Sequence, residues 1–163
     1  MSEAAEANAA LIRRFYAALD ARDAATMAAC YAPGATFSDP VFPQLDTAGV
    51  GAMWSMLCER GKDLRVDLRD VVTDDDSGRA SWTAHYTFAA TGRKVANEIE
   101  SSFALREGRI LRQVDRFGVW RWARQALGIT GLLLGWSPLF AGRIRSQAAQ
   151  ALAQWRGRRG GTA

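Results

Sequence analysis

The hydrophobic period of this chain changes near Lys62, and that change limits the fold more than any other feature. Before it, apolar residues recur every three or four positions; after it they alternate, so helices come first and strands second. Between Glu3 and Ala21, the residues Leu11, Ile12, Phe15, Tyr16 and Leu19 share one face of an amphipathic helix. Asp23 is placed to cap a second, short helix with Met27, Cys30 and Tyr31 on its buried side and Pro33-Gly34 as its stop. These two helices should form a hairpin. Thr47 is expected to cap a third helix that turns Val50, Met53, Trp54 and Leu57 inward.

From Leu64 onward Leu64, Val66 and Leu68 alternate with charged residues, and Asp74 to Gly78 reads as a turn. That acidic run lacks the glutamate a calcium loop needs at its twelfth position, so it predicts a solvated turn. A strand over residues 79–90 puts Trp82, Ala84, Tyr86 and Phe88 on one face and Ser81, Thr83, His85 and Thr87 on the other. The sole histidine, His85, therefore belongs to the polar face. After Thr91-Gly92, a long strand turns Val95, Asn97, Ile99, Ser101, Phe103 and Leu105 one way, with Glu98 and Glu100 opposite. Asn97 and Ser101 thus fall among apolar neighbours, where a polar group persists only if paired or if it has a ligand to meet. Glu107-Gly108 makes the next turn. On the last strand, over residues 109–117, either Leu111, Gln113, Asp115 and Phe117 face inward, or Ile110 and Val114 do. The first parity is preferred, and it puts a carboxylate inside.

A second carboxylate stands in the apolar run from Ala35 to Phe42, where Asp39 is flanked by Phe37, Pro40, Val41 and Phe42. It is either an ordinary Asp-Pro turn residue or a group facing an apolar cavity, where burial would raise its pKa. Composition adds bounds. A length of 163 residues with 48% hydrophobic and 23% charged residues fits one domain with a real core. The net charge of +4 comes almost wholly from arginine, much of it late in the chain at Arg143, Arg145, Arg156, Arg158 and Arg159. Without interleaved stacking aromatics or a nucleic-acid motif, this tail predicts no nucleic-acid partner. Cys30 and Cys58 have no CxxC spacing and no neighbouring histidine, so neither a metal site nor a redox pair is expected. The first residues lack the basic and apolar regions of a signal peptide, so a cytoplasmic protein is expected.

Helix hairpin, short strand ending in Asp-Pro, third helix and antiparallel meander together resemble the nuclear transport factor 2-like superfamily. The likeness is strongest to its SnoaL-like polyketide cyclase and ketosteroid isomerase-like branches. It is carried by Phe15 to Asp20, by Ala35 to Pro40, and by Gly108-Arg109-Ile110 through Asp115. The resemblance implies an α+β fold, a cone-shaped curved sheet packed on three N-terminal helices, over residues 1–118. It also implies roles. Asp39 matches the isomerase general base, and Asp115 the acid/base aspartate of the cyclases. The two groups that hold the enolate oxygen in the isomerases do not carry over: the tyrosine column falls on Phe15, with Tyr16 one residue on, and the aspartic acid column falls near Ser101. The Asp-Arg-Asp constellation of the epoxide-hydrolase branch is not found around Asn97 to Ser101.

The expected function is therefore a cofactor-independent isomerase or cyclase acting on a small apolar carbonyl compound. Asn97, Ser101 and Tyr16 would be polar contacts, and Trp54, Trp82, Tyr86, Phe103 and Phe117 the walls. The alternatives are a ligand-binding module without turnover, or a homodimeric structural domain pairing through Ser81, Thr83, His85 and Thr87. Residues 119–163 form a helical extension that departs from the short family members. Its apolar run from Leu127 to Phe140 is too short and too rich in glycine to span a bilayer. A cap over the cone mouth, an oligomer interface and a membrane-surface anchor through Trp120, Trp122 and Trp136 are its three expected roles, in that order of preference.

Overall fold

The computed structural model describes residues 1–160 and follows the expected order of helices and strands. Helix α1 (Glu3–Asp20) begins where Ser2 Oγ accepts from Ala5 N–H, and acidic Glu3 and Glu6 sit in its first turn. Its inner face, Ile12, Phe15, Tyr16 and Leu19, is almost fully buried. Helix α2 (Ala24–Ala29) is capped by Asp23, as expected, but is shorter than predicted. Tyr31 does not belong to it. Strand β1 (Tyr31–Ser38) starts there, and Pro33-Gly34, with Gly34 at φ +79°, forms an irregularity inside the strand rather than a helix stop. Strand geometry tolerates a proline whose N–H would face away from the ladder.

Helix α3 (Thr47–Arg60) is capped one residue earlier than predicted: the side chain of Asp46, not Thr47, accepts from Gly49 N–H. Thr47 instead donates its hydroxyl to Ala35 O and ties the helix to β1. Val50, Met53 and Trp54 are buried, but Leu57 is exposed, its expected place on the inner face being taken by Met56 and Cys58. Four further strands follow, β2 (Arg65–Thr73), β3 (Ser77–Phe88), β4 (Arg93–Arg106) and β5 (Arg109–Arg116). The sheet order is β1-β5-β4-β3-β2, with β1 parallel to β5 and the other pairs antiparallel.

Three details depart from strict alternation. Gly78, expected in the turn, is the second residue of β3, and a Cβ there would lie 2.6 Å from Ile12 Cδ1, so α1 packs directly on its backbone. Thr83, expected on the polar face, is buried beneath Arg69, whose guanidinium donates to its hydroxyl. On β5 a register shift opposite Ala104 and Leu105 buries Ile110 and leaves Leu111 half-exposed, while Gln113 and Asp115 keep the inward parity. The Glu107-Gly108 hairpin has positive φ at both residues, the conformation of a tight antiparallel turn.

The extension breaks at Gly128 (φ +64°) and comprises α4 (Val119–Leu127), α5 (Ile129–Leu134) and α6 (Pro138–Gly160). Residues 161–163 lie outside the described residues. Trp122, Ala123 and Ala126 of α4 are buried with Val95 of β4, and Tyr86, Phe88, Phe117, Phe140 and Ile144 pack around them. Further along α6, Leu152 and Trp155 join the main core, and Trp155 Nε1 donates to Glu59 on α3. Between these two anchors Arg145 Nε donates to Pro40 O, beside Asp39. The extension thus packs on β4 through α4 and reaches the Asp39 loop and α3 through α6. Trp122 Nε1 donates to Tyr86 Oη at 2.7 Å. Trp122→Phe is expected to lower stability by about 1 kcal/mol in urea unfolding, and a loss below a few tenths would mean that this contact does not hold α4 down.

Candidate active site

Asp39 is positioned by its own loop. Phe37 and Leu45 exchange two backbone hydrogen bonds, which close the segment between them, and Asp39 N–H donates to Phe42 O. The carboxylate Oδ1 accepts from Val41 N–H at 2.7 Å and Phe42 N–H at 2.5 Å. An aspartate bonding the amides two and three residues on is an Asx turn, so the turn role and the buried role expected as alternatives coexist. Burial pushes its pKa up to about 6 even though both amide bonds pull it down. Desolvation outweighs two good donors here.

Asp115 lies deeper, 4% exposed, and opposite Ser101 in the β4–β5 ladder. Its Oδ1 accepts from Ser101 Oγ at 2.6 Å and from Gln113 Nε2 at 3.0 Å. Both donors are fed in turn. Ser101 Oγ accepts from Tyr16 Oη at 2.7 Å and Trp82 Nε1 at 2.9 Å. Gln113 Oε1 accepts from Tyr31 Oη at 2.5 Å, and Tyr31 Oη accepts from Trp54 Nε1 at 2.9 Å. Six side chains therefore direct their hydrogens, through two arms of three, at one carboxyl oxygen. Burial raises the pKa of Asp115 to about 7; the Ser101 and Gln113 bonds offset part of the rise, and the charge of Asp39 adds to it. Burial first, and Asp115 in addition, also hold Tyr16 and Tyr31 well above the ordinary phenol value, so both are neutral donors.

The second oxygen of each carboxyl has no hydrogen-bond partner among the described residues. Neither has the side chain of Asn97, which is 8% exposed between Val95 and Ile99 on the inward face of β4. No fully buried side-chain polar atom is left unpaired among those residues, so the free oxygens and the Asn97 amide each keep some accessible surface. Two surface depressions of about 380 Å³ lie elsewhere, one between the start of α3 and Arg156, the other beside Ser2 and Asp74, and neither is lined by Asp39 or Asp115.

The predicted residues thus separate into three groups. Tyr16, Trp82 and Ser101 are brought together with Asp115 as its hydrogen-bond support. Trp54 and Phe103 are core: Trp54 packs on Phe15 and Phe37 and also heads the Tyr31–Gln113 arm, and Phe103 packs on Tyr16. Tyr86 and Phe117 are half-buried and pack with Trp122 of α4. Burial raises the Tyr86 pKa, the Trp122 bond lowers it, and Asp39 raises it further, which puts Tyr86 within reach of the Asp39 charge. Sequence reasoning gave no role to Gln113 or Tyr31. For Gln113 the signal was present, since it shares the parity of Asp115; for Tyr31 it was masked by placing that residue on a helix.

The model of the SnoaL-like domain matches residues 12–113. The chain belongs to the SnoaL-like domain family. No curated protein matches it in sequence. Among solved structures, this SnoaL-like protein superposes on an M. tuberculosis LEH-like epoxide hydrolase with TM-score 0.66 and 17% identity, over 80% of this chain and 97% of that one. A candidate SnoaL-like polyketide cyclase from Jannaschia sp. CCS1 gives TM-score 0.69 and 14% identity, over 78% and 96%. A protein of ketosteroid isomerase-like fold from Catenulispora acidiphila, solved with trimethylamine, gives 0.64 and 10%, over 71% and 91%. At these identities the likeness establishes the fold, the nuclear transport factor 2-like cone. Activity has to be argued from the carboxyls. Among the described residues no group of histidine, cysteine or acidic side chains could hold a metal ion, and no helix is long and apolar enough to cross a membrane.

Proposed function

We propose that this SnoaL-like protein is an acid/base enzyme, an isomerase or cyclase, acting on a small apolar carbonyl compound without a cofactor. The observation that carries this reading is the pair of carboxyls, Asp115 buried and Asp39 half-buried, each with one oxygen held by donors and one left free, in surroundings that push their pKa values up to about 7 and about 6. Near neutral pH the lower member, Asp39, is the base and removes a proton from the carbon next to the carbonyl. Asp115, whose higher pKa of about 7 keeps a substantial fraction protonated there, donates to the carbonyl oxygen as the enolate forms. The enolate then either takes the proton back from Asp39 at another carbon of its conjugated system, an isomerisation, or attacks a second carbonyl through its α-carbon, an aldol-type ring closure. Asn97 supplies a further polar contact toward the mouth.

A planar phenol that mimics the enolate tests this reading. Binding in the micromolar range is expected, weakening as pH rises through about 7 because the donor proton of Asp115 is lost. Asp115→Asn should abolish that pH dependence. Asp39→Asn removes a negative charge beside the bound phenolate and should tighten binding about tenfold, the equivalent of one pKa unit. The contact of α6 with the Asp39 loop, where Arg145 donates to Pro40 O, favours a second reading, a ligand-holding or interaction domain without turnover. Absence of phenol binding by the wild type and both variants would select it.

A further inference from the structure

We propose that the outer face of the elbow formed by the end of α4, by α5 and by the start of α6 docks on an anionic membrane surface. Six large apolar side chains project there: Ile129, Leu132, Leu133, Leu134, Trp136 and Leu139, from 45% to 87% exposed. The face is built rather than frayed. A Cβ at Gly131 would lie 1.9 Å from Ala123 O, so α5 rests with its glycine side directly on the backbone of α4, and its leucines are forced outward. Trp120 Nε1 donates to Leu132 O and Trp136 Nε1 to Leu133 O, which lays both indoles along the elbow with their donors satisfied. Apolar side chains rimmed by tryptophan suit the zone between lipid headgroups and acyl chains.

Charge decides what this face meets. From Arg116 to the end the sequence has eight arginines and no aspartate or glutamate, a formal +8, whereas the preceding 115 residues hold 13 Lys and Arg against 17 Asp and Glu, a formal −4. Arg124 stacks over Trp120 at 4.9 Å, Arg93 packs against Gly128 while donating to Gln125 O, and Arg143 follows Leu139 by one helical turn. Two acids that do contact this segment, Glu98 and Glu59, are bound to Arg121 and Arg159. A second copy seated on this face would bring like charges together around the apolar centre, with no acid in the segment to pair them. A bilayer rich in anionic lipid offers the opposite charge and an apolar layer beneath it. The apolar face reaches only the interfacial depth, since no described helix can cross a membrane.

The test is co-sedimentation of the full chain with vesicles of phosphatidylcholine alone and of phosphatidylcholine mixed with phosphatidylglycerol. Binding is expected to the mixed vesicles only, and to weaken as salt is raised. Leu133→Ser combined with Trp136→Ser should reduce it at least tenfold. Arg124→Gln and Arg143→Gln, which leave the apolar face intact, should each weaken it about fivefold. Equal binding to both vesicle types, or binding to neither, overturns the proposal. So does a dimer in sedimentation velocity that the Leu133→Ser, Trp136→Ser variant dissociates while vesicles go unbound, because the face would then belong to a second copy.

Discussion

Ser101→Ala is expected to destabilise the protein by about 3 kcal/mol, far more than the loss of one small hydroxyl would suggest. Ser101 is 2% exposed, and its oxygen serves as hub: it accepts from Tyr16 Oη and Trp82 Nε1 and donates to Asp115 Oδ1. Alanine leaves two donors on large buried rings without an acceptor, and each unsatisfied group costs about 1–3 kcal/mol. The rings cannot turn away. Tyr16 is wedged against Phe15, Trp82 and Phe103, with ring centroids 5.1, 4.9 and 6.4 Å distant. Tyr16→Phe alone removes a single bond and should cost about 1 kcal/mol. In the Ser101→Ala background it should cost nothing or restore stability, because it deletes a donor that already lacks a partner. Urea unfolding of the four proteins measures this. Additive losses would show that the hydroxyls act independently and that the network is not a unit.

How much of this was legible in the sequence depends on whether a residue's environment is set by its own strand or by a distant one. The inward face of β4 was readable because six residues alternate without interruption from Val95 to Leu105, and all six are buried. That alternation singled out Asn97 and Ser101. The bulge that exchanges Leu111 for Ile110 was not readable, since it arises from how β5 meets β4 after a two-residue turn. Tyr31 was misplaced because a proline and a glycine two residues on resemble a helix stop, whereas here they bend a strand that pairs with β5, some eighty residues away. Asp39 was conspicuous by its apolar neighbours, but its Asx turn depends on the return of Leu45 to Phe37. In the extension, the run of apolar residues was visible, yet which of them face outward rests on the contact of Gly131 with Ala123. Local periodicity located the carboxyls; only the tertiary pairing supplied their support.

Asp115→Asn is expected to flatten the dependence of stability on pH between about 5 and 8. The folded-state pKa of Asp115 is pushed up to about 7 by burial, against about 3.9 for an unfolded aspartate. In the interval between those values the folded protein holds a proton that the unfolded chain has lost. The contribution to stability is therefore full below about pH 4 and is lost as pH rises through about 7. For Asp115 alone the loss between about pH 5 and pH 8 is about 3 kcal/mol, and Asp39, raised to about 6 and less deeply buried, adds to it with the same sign. The exposed acids whose pKa values are lowered, Asp23, Glu59 and Asp63, titrate below this window and leave it unchanged. Wild-type protein should thus be markedly less stable at the higher pH. The amide variant keeps an oxygen to accept from Ser101 and Gln113 but has no charge to bury, so its curve should retain only the smaller slope due to Asp39. Parallel curves would mean that Asp115 ionises without strain, and with that its part as the proton donor would fall. A curve that flattens would show the converse: the instability at neutral pH is the same free energy that holds the carboxyl near pH 7. A ligand that accepts its hydrogen would then stabilise the fold most where the free protein is weakest.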